Sequence, residues 1–261
     1  MDVSEIIHQT QAMYLGDGRP WVVGFSGGKD STALLQIVFQ MLEQLPIRER
    51  TKEVHVVCND TRVEIPQVSA MVLEALRRIE CAGTERELPI TVVQTTPELD
   101  DSFFVNLIGR GYPSPNTRFR WCTERMKIDP TSRYIQRVVN KSGEVIILLG
   151  ARKAESATRA QVMQSHSIDG ASLRRHSTLP RCLVYTPIEN LTTDDVWEYL
   201  LESPSPWGGD NHELFQLYKK AEGGECPLVI DTTTPSCGNS RFGCWVCTVV
   251  EHDKSVQGFI D

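Results

Sequence analysis

Seven consecutive residues, Ser26-Gly27-Gly28-Lys29-Asp30-Ser31-Thr32, combine two adjacent glycines, a lysine, an acid and three hydroxyls. Gly27 and Gly28 let the backbone come close to a ligand and turn its N–H groups toward an anion, and a helix starting there adds the positive potential of its N-terminus. Lys29 adds a compact charge, and Ser26, Ser31 and Thr32 add hydroxyl donors. The stretch does not fit G-x-x-x-x-G-K-[ST], because its glycines adjoin and Asp30 follows the lysine, and G-x-G-x-x-G is absent. A second group of chemical residues lies near the other end. Cys226, Cys237, Cys244 and Cys247 form a C-x10-C-x6-C-x2-C array. Cys244 and Cys247 have the spacing at which thiolates share a metal or a cluster, and the other two can complete a four-ligand site. Spacing alone leaves structural zinc, an iron–sulfur cluster and four unconnected thiols all open. Cys122 stands apart, among Arg118, Arg120 and Arg125, where positive charge is expected to favour the thiolate and make it a candidate to receive or deliver sulfur. Cys58, Cys81 and Cys182 read as structural.

The elements that must position these residues alternate. Trp21 to Phe25 reads as a short buried strand, followed by helical spacing over Thr32 to Leu45. Strands are expected again at Val54 to Asn59, Ile90 to Thr95 and Val145 to Gly150, with helices over Gln67 to Ile79 and Ser132 to Asn140. This pattern predicts an α/β, Rossmann-like fold with a mainly parallel sheet covered by helices on both faces. Ligands of such sheets bind beyond the carboxyl ends of the strands, where Ser26 to Ser31 should sit. The polar stretch from Arg152 to Arg181 reads as a mobile loop or lid, and Thr193 as the cap of a further helix. Two parts are expected: an α/β domain over 1–205, and a cysteine-rich segment over 206–261 packed on it.

The net charge of -7 excludes a general nucleic-acid coat, so any nucleic acid must meet a partner or a local basic patch such as Arg110, Arg118, Arg120, Arg125, Lys127 and Arg133 with Arg174 and Arg175. Acids stand near the start where a secretory signal would be basic, and no apolar run is long enough to cross a bilayer. The expectation is a cytoplasmic protein, with no membrane contact.

Ser26 to Ser31 resembles the SGGKDS pyrophosphate-binding loop of the N-type ATP pyrophosphatase superfamily. CNDTRVEIP (Cys58 to Pro66), WCTERMKIDP (Trp121 to Pro130), LLGARKAESATRA (Leu148 to Ala160) and PIENLTTDDVWEYL (Pro187 to Leu200) resemble segments of PAPS reductases. CGNSRFGCWVCTVVEHDKS (Cys237 to Ser255) resembles DndC-type proteins of bacterial DNA phosphorothioation, with SspD-type relatives within the same match. DndC-type proteins continue past this length, so a short relative or a piece of a longer chain is expected.

The resemblance implies ATP with Mg2+ on Ser26 to Thr32, Asp60 and Thr61 at the "DT" segment, and Gly150, Arg152, Glu155, Ser156 and Arg159 in a phosphate-facing motif. It implies a [4Fe-4S] cluster on Cys226, Cys237, Cys244 and Cys247. Catalytic roles then fall to Cys122, Lys29, Asp30, Asp60 and Arg152. Lys29 is expected at the terminal phosphates, Asp30 and Asp60 at magnesium or ribose, and Cys122 or the cluster at sulfur. The implied reaction adenylates a DNA backbone phosphate with pyrophosphate release and then replaces AMP by sulfur. Implied partners are DNA, a cysteine desulfurase, and DndD- and DndE-type proteins. Two rivals stay open: a PAPS or APS reductase, whose Glu-Cys-Gly-x-His segment is met only by GECPL at Gly224 to Leu228, and a non-catalytic nucleotide- and DNA-binding subunit.

Overall fold

Strands buried on both faces need no polar alternation, and β1 (Trp21–Gly24) is buried at every residue. The computed structural model describes residues 2–116, 118–153, 172–220 and 244–249. Around β1 it builds a six-stranded sheet from β2 (Val54–Asn59), β3 (Ile90–Thr95), β4 (Val145–Leu148), β5 (Leu173–Arg175) and β6 (Cys182–Tyr185), in the order β3-β2-β1-β4-β6-β5. All neighbours are parallel except β5, which runs antiparallel to β6.

Successive side chains of a strand point to opposite faces, and here they feed two cores. Trp21 and Val23, with Val54, Val56, Ile146 and Leu148, pack under α1 (Val3–Leu15), α2 (Lys29–Gln44) and α3 (Pro66–Glu85). Val22, with Val57, Val145 and Ile147, packs on the other face under Ile135, Val138 and Val139 of α5 (Asp129–Ser142). The short helix α4 (Trp121–Thr123) leads into α5 through a π-helical turn at Glu124–Ile128, and a second π-helical turn spans Val105–Gly109. α6 (Thr193–Glu202) and α7 (Asn211–Lys220) complete the described helices.

Several boundaries differ from the sequence expectation. α2 begins at Lys29 rather than Thr32, because Gly28, in extended conformation, serves as its N-cap and Lys29, Asp30 and Ser31 form its first turn. α3 continues past Ile79 to Glu85, and α5 spans two to three residues more at each end than its apolar pattern. The cap of α6 is Thr192, not Thr193; its hydroxyl accepts from Asp195 N, and the Asp195 carboxylate accepts from Thr192 N, a reciprocal capping box. The polar stretch read as a lid contains strand β5. Residues 154–171 of that stretch lie outside the described residues.

Part of the chain assigned to the cysteine-rich segment packs on the α/β core. Trp207 sits edge-on to Phe25 and Phe39, with centroids 6.4 and 5.2 Å away. Asn211 Nδ2 donates to Gln36 Oε1 of α2 and to the Leu200 carbonyl, both at 2.8 Å. Among the described residues no helix is long and apolar enough to cross a membrane.

Candidate active site

β1 lies between β2 and β4 at the centre of the sheet, and the loop leaving β1 opens on a crevice at the sheet's carboxyl edge. Ser26 to Ser31 lines it. Gly27 has φ +74°, and a Cβ there would meet Val72 Cγ2 at 2.7 Å, so only glycine fits both the turn and the contact with α3. The turn is laced from within: Ser31 Oγ donates to the Gly28 carbonyl at 2.9 Å, and Ser26 N donates to Ser31 Oγ at 3.2 Å. No side chain caps α2, which leaves its N-terminal end turned to the crevice. From β4, Gly150 presses on the same helix start, where a Cβ would lie 2.6 Å from the Asp30 carbonyl oxygen and 2.9 Å from Ser31 N. A cavity of about 310 Å³ opens beside the loop, lined by Gly27, Thr32, Val72, Arg78, Trp207 and Asp210 among others.

Two cations are buried under this turn. Lys29 is 1% exposed and Arg152 0%. Arg152 Nε donates to Asp30 Oδ1 at 2.6 Å and Lys29 Nζ to Asp30 Oδ2 at 3.0 Å. The Lys29 ammonium also lies 5.4 Å from the ring centroid of Tyr218, whose hydroxyl accepts from Lys29 N at 3.2 Å. Asp30 thus bridges two buried cations beneath an anion-binding turn, where low dielectric strengthens their fields. Lys29 therefore points inward rather than out to the crevice, and both oxygens of Asp30 are engaged by cations. No local spacing or motif singles out Tyr218.

After β2, Asp60 Oδ1 accepts from Arg62 N at 2.7 Å, closing a tight turn. Thr61 donates to Glu64 Oε1 at 3.2 Å, and its hydroxyl lies 3.6 Å from Cys244 Sγ. The segment carrying Cys244 and Cys247 is fastened here. Glu64 and Cys244 form an antiparallel bridge, Trp245 N donates to the Val63 carbonyl at 3.0 Å, and Thr248 Oγ1 donates to the Pro115 carbonyl at 2.6 Å. Cys122 meets Cys244 in one cluster with Val63, Phe103, Trp121 and Met126. Asn59 Nδ2, at the end of β2, holds the Met126 carbonyl at 2.7 Å. Cys122, separate along the chain, thus joins two of the four cysteines of the array.

The expectation of an arginine-stabilised Cys122 thiolate is overturned. Burial, followed by the negative charge available to Cys244, raises its pKa, and Arg120 offsets only part of this. Arg125 is spent on Asp101 at 2.7 Å and Tyr112 at 3.0 Å. Burial likewise raises Cys244 against the pull of Lys127, and raises the neighbouring Glu64. Burial pushes Cys58 up to about 12 and Cys182 up to about 11, in keeping with inert core thiols, whereas Cys81 is exposed on α3.

Among the described residues no three His, Cys, Asp or Glu side chains converge at metal-binding distance. The donor set nevertheless suits a soft metal or cluster, since Cys244 and Cys247 are neighbouring thiols that metal binding would deprotonate, with Cys122 beside them. Cys226, Cys237, Glu155, Ser156 and Arg159 lie outside the described residues.

An uncharacterized protein of Methanocaldococcus jannaschii is 27% identical over 233 residues, which cover 89% of this chain and 37% of that protein. The chain therefore spans little more than a third of that relative's length. Similar solved structures include the phosphoadenylyl-sulfate (PAPS) reductase of Candida auris in a phosphate complex, at 14% identity and TM-score 0.45 over 83% of this chain and 85% of that one. Another is the U34-tRNA thiolase NcsA of Methanococcus maripaludis with its [4Fe-4S] cluster, at 15% identity and TM-score 0.44 over 84% of this chain and 73% of that one. The phosphoadenosine phosphosulfate reductase domain family matches residues 20–250, from the start of β1 through the last described cysteine, and the chain belongs to that family.

Proposed function

We propose that this chain activates a DNA backbone phosphate with ATP and replaces one of its oxygens by sulfur, as the catalytic subunit of a DNA phosphorothioation system. The observation that carries the reading is the placement of the Ser26–Thr32 anion loop and the thiols Cys122 and Cys244 along one carboxyl edge of the sheet, over the adjacent strands β1 and β2. The C-x10-C-x6-C-x2-C array and its resemblance to DndC-type proteins direct the reading to DNA.

ATP phosphates lie on the loop N–H groups and the start of α2, and the nucleoside takes the cavity beside Gly27 and Thr32. Magnesium, bound with ATP, supplies neutralisation of phosphate charge. Asp60 is the better carboxylate to orient it, because Asp30 is engaged by Lys29 and Arg152. A non-bridging oxygen of the DNA phosphate attacks the α-phosphorus and pyrophosphate leaves. The buried Lys29–Asp30–Arg152 group stabilises the charge that develops, without moving to do so.

Cys122 is the sulfur carrier in this scheme, charged by a cysteine desulfurase. The terminal sulfur of its persulfide attacks the activated phosphorus, and AMP departs with the original oxygen. An external thiol then attacks the Cys122 sulfur, forming a mixed disulfide and freeing the phosphorothioate. A [4Fe-4S] cluster, held by Cys244 and Cys247 with Cys226 and Cys237, supplies soft iron at which sulfur can be bound. DndD- and DndE-type proteins are the proposed partners in presenting DNA.

The test incubates anaerobically purified protein with ATP, magnesium, DNA, desulfurase, cysteine and a thiol reductant, then digests the DNA for mass spectrometry. Pyrophosphate release together with a dinucleotide carrying sulfur in place of oxygen is the expected result. Sulfite released from PAPS, with no ATP cleavage, would instead make the chain a sulfonucleotide reductase, the reading the family match keeps as its rival.

A further inference from the structure

Trp245 sits between two candidate ligand cysteines, yet its indole is 58% exposed. Its ring lies 6.0 Å from that of Phe104, itself 43% exposed, at a tilt of 42°. Such a pair is costly to leave in water unless something covers it. It is also firmly mounted. Phe104 packs edge-on against buried Phe103, which stacks on Trp121 at 5.4 Å, while the Trp245 backbone donates to the Val63 carbonyl and Thr248 ties the same segment to Pro115. Arg118 and Phe119, both exposed, follow shortly after Pro115, whose carbonyl holds Thr248.

We infer that Trp245 and Phe104 form a stacking platform for an unpaired nucleobase, which fixes a nucleic-acid strand with its backbone beside Cys122 and Cys244. This inference rests on the proposed DNA substrate. Aromatic faces accept any base, because every base presents a π-face. With a net charge of -7 the chain as a whole does not attract a polyanion, so a stacking contact adds affinity that does not depend on overall charge. Arg118 contributes a phosphate contact at the rim. Trp245 follows Cys244 directly, and Cys244 packs on the same cluster as Cys122, so a base held on the indole brings its own phosphodiester toward the sulfur chemistry.

The experiment measures binding of a fluorescein-labelled single-stranded oligodeoxynucleotide of mixed sequence, and of an abasic strand of equal length, to the full chain. Wild type is expected to prefer the base-bearing strand. Trp245→Ala should lose roughly ten-fold or more on that strand and little on the abasic one, and Trp245→Phe should retain most of the affinity. Unchanged ATP binding and thermal midpoint show that the variants fold. If Trp245→Ala binds the base-bearing strand like wild type while wild type still modifies DNA, the platform is wrong and the substrate reading stands. If wild type binds neither strand and modifies no DNA, the substrate reading fails and takes the platform with it. If strand binding is unchanged but persulfide transfer from a desulfurase falls, the pair docks a protein and the inference is overturned.

Discussion

Gly150 is the point where the two halves of the crevice touch, and a methyl group there has nowhere to go but into the Asp30 and Ser31 backbone. Gly150→Ala is expected to cost about 1–3 kcal/mol in urea unfolding and to weaken ATP binding, since it pries β4 from the start of α2. Gly27→Ala carries two separable faults, a positive φ and a clash with Val72, so adding Val72→Ala should recover the clash but not the backbone strain of roughly 1–2 kcal/mol. Asp30→Asn removes a carboxylate that pairs with both Lys29 and Arg152, and is expected to destabilise by about 3–5 kcal/mol. Arg152→Met on that background should restore part of the loss in a double-mutant cycle. The loop itself was legible, because its glycines and hydroxyls are contiguous. The inward turn of Lys29 was not, because its partner Tyr218 lies far along the chain and no local spacing points to it.

Glu189 joins three pieces of structure at the β6 end of the crevice. Its carboxylate accepts from Lys153 after β4, from Arg174 of β5 and from Thr186, and its backbone carbonyl accepts from Lys153 N. Burial pushes its pKa up, but the hydrogen bonds from Lys153 and Arg174 outweigh this and hold it below the usual carboxylate value. A depressed folded pKa means stability that is fully present above the unfolded value and lost as pH falls through the folded one. The difference in urea midpoint between wild type and Glu189→Gln should therefore stay constant from neutrality down to the ordinary glutamate range, then narrow with further acidification. Thr192→Ala, which opens the capping box of α6, should cost about 1 kcal/mol by the same assay. Strand and helix cores followed the apolar pattern: Val54–Asn59 and Ile90–Thr95 match their sequence bounds at both ends. β5 escaped because three residues with two adjacent arginines carry no apolar signal, and its pairing with β6 is purely tertiary.

Across the whole molecule, the meeting of Cys122 with Cys244 is the feature that spacing could not show, since it is made by α4, the β2 loop and the Val63 bridge together. Anaerobic protein is expected to hold about four irons and four sulfides per chain. Cys244→Ser should lower both, whereas Cys122→Ser should retain metal and lose sulfur transfer. Zinc without sulfide would sink the cluster assignment and leave Cys122 as the sulfur carrier. The sheet order has a consequence for synthesis. β1 lies between β2, which follows it closely, and β4, whose residues Val145–Leu148 are made much later. During translation, one flank of the apolar segment Trp21–Gly24 stays open until Ile146 leaves the ribosome, so the nascent chain carries its most aggregation-prone edge while the thiols of Cys58, Cys81 and Cys122 are already exposed to oxidants. Chaperone supply and a reducing cytosol during expression should therefore raise the soluble yield more than any change in the finished protein's stability.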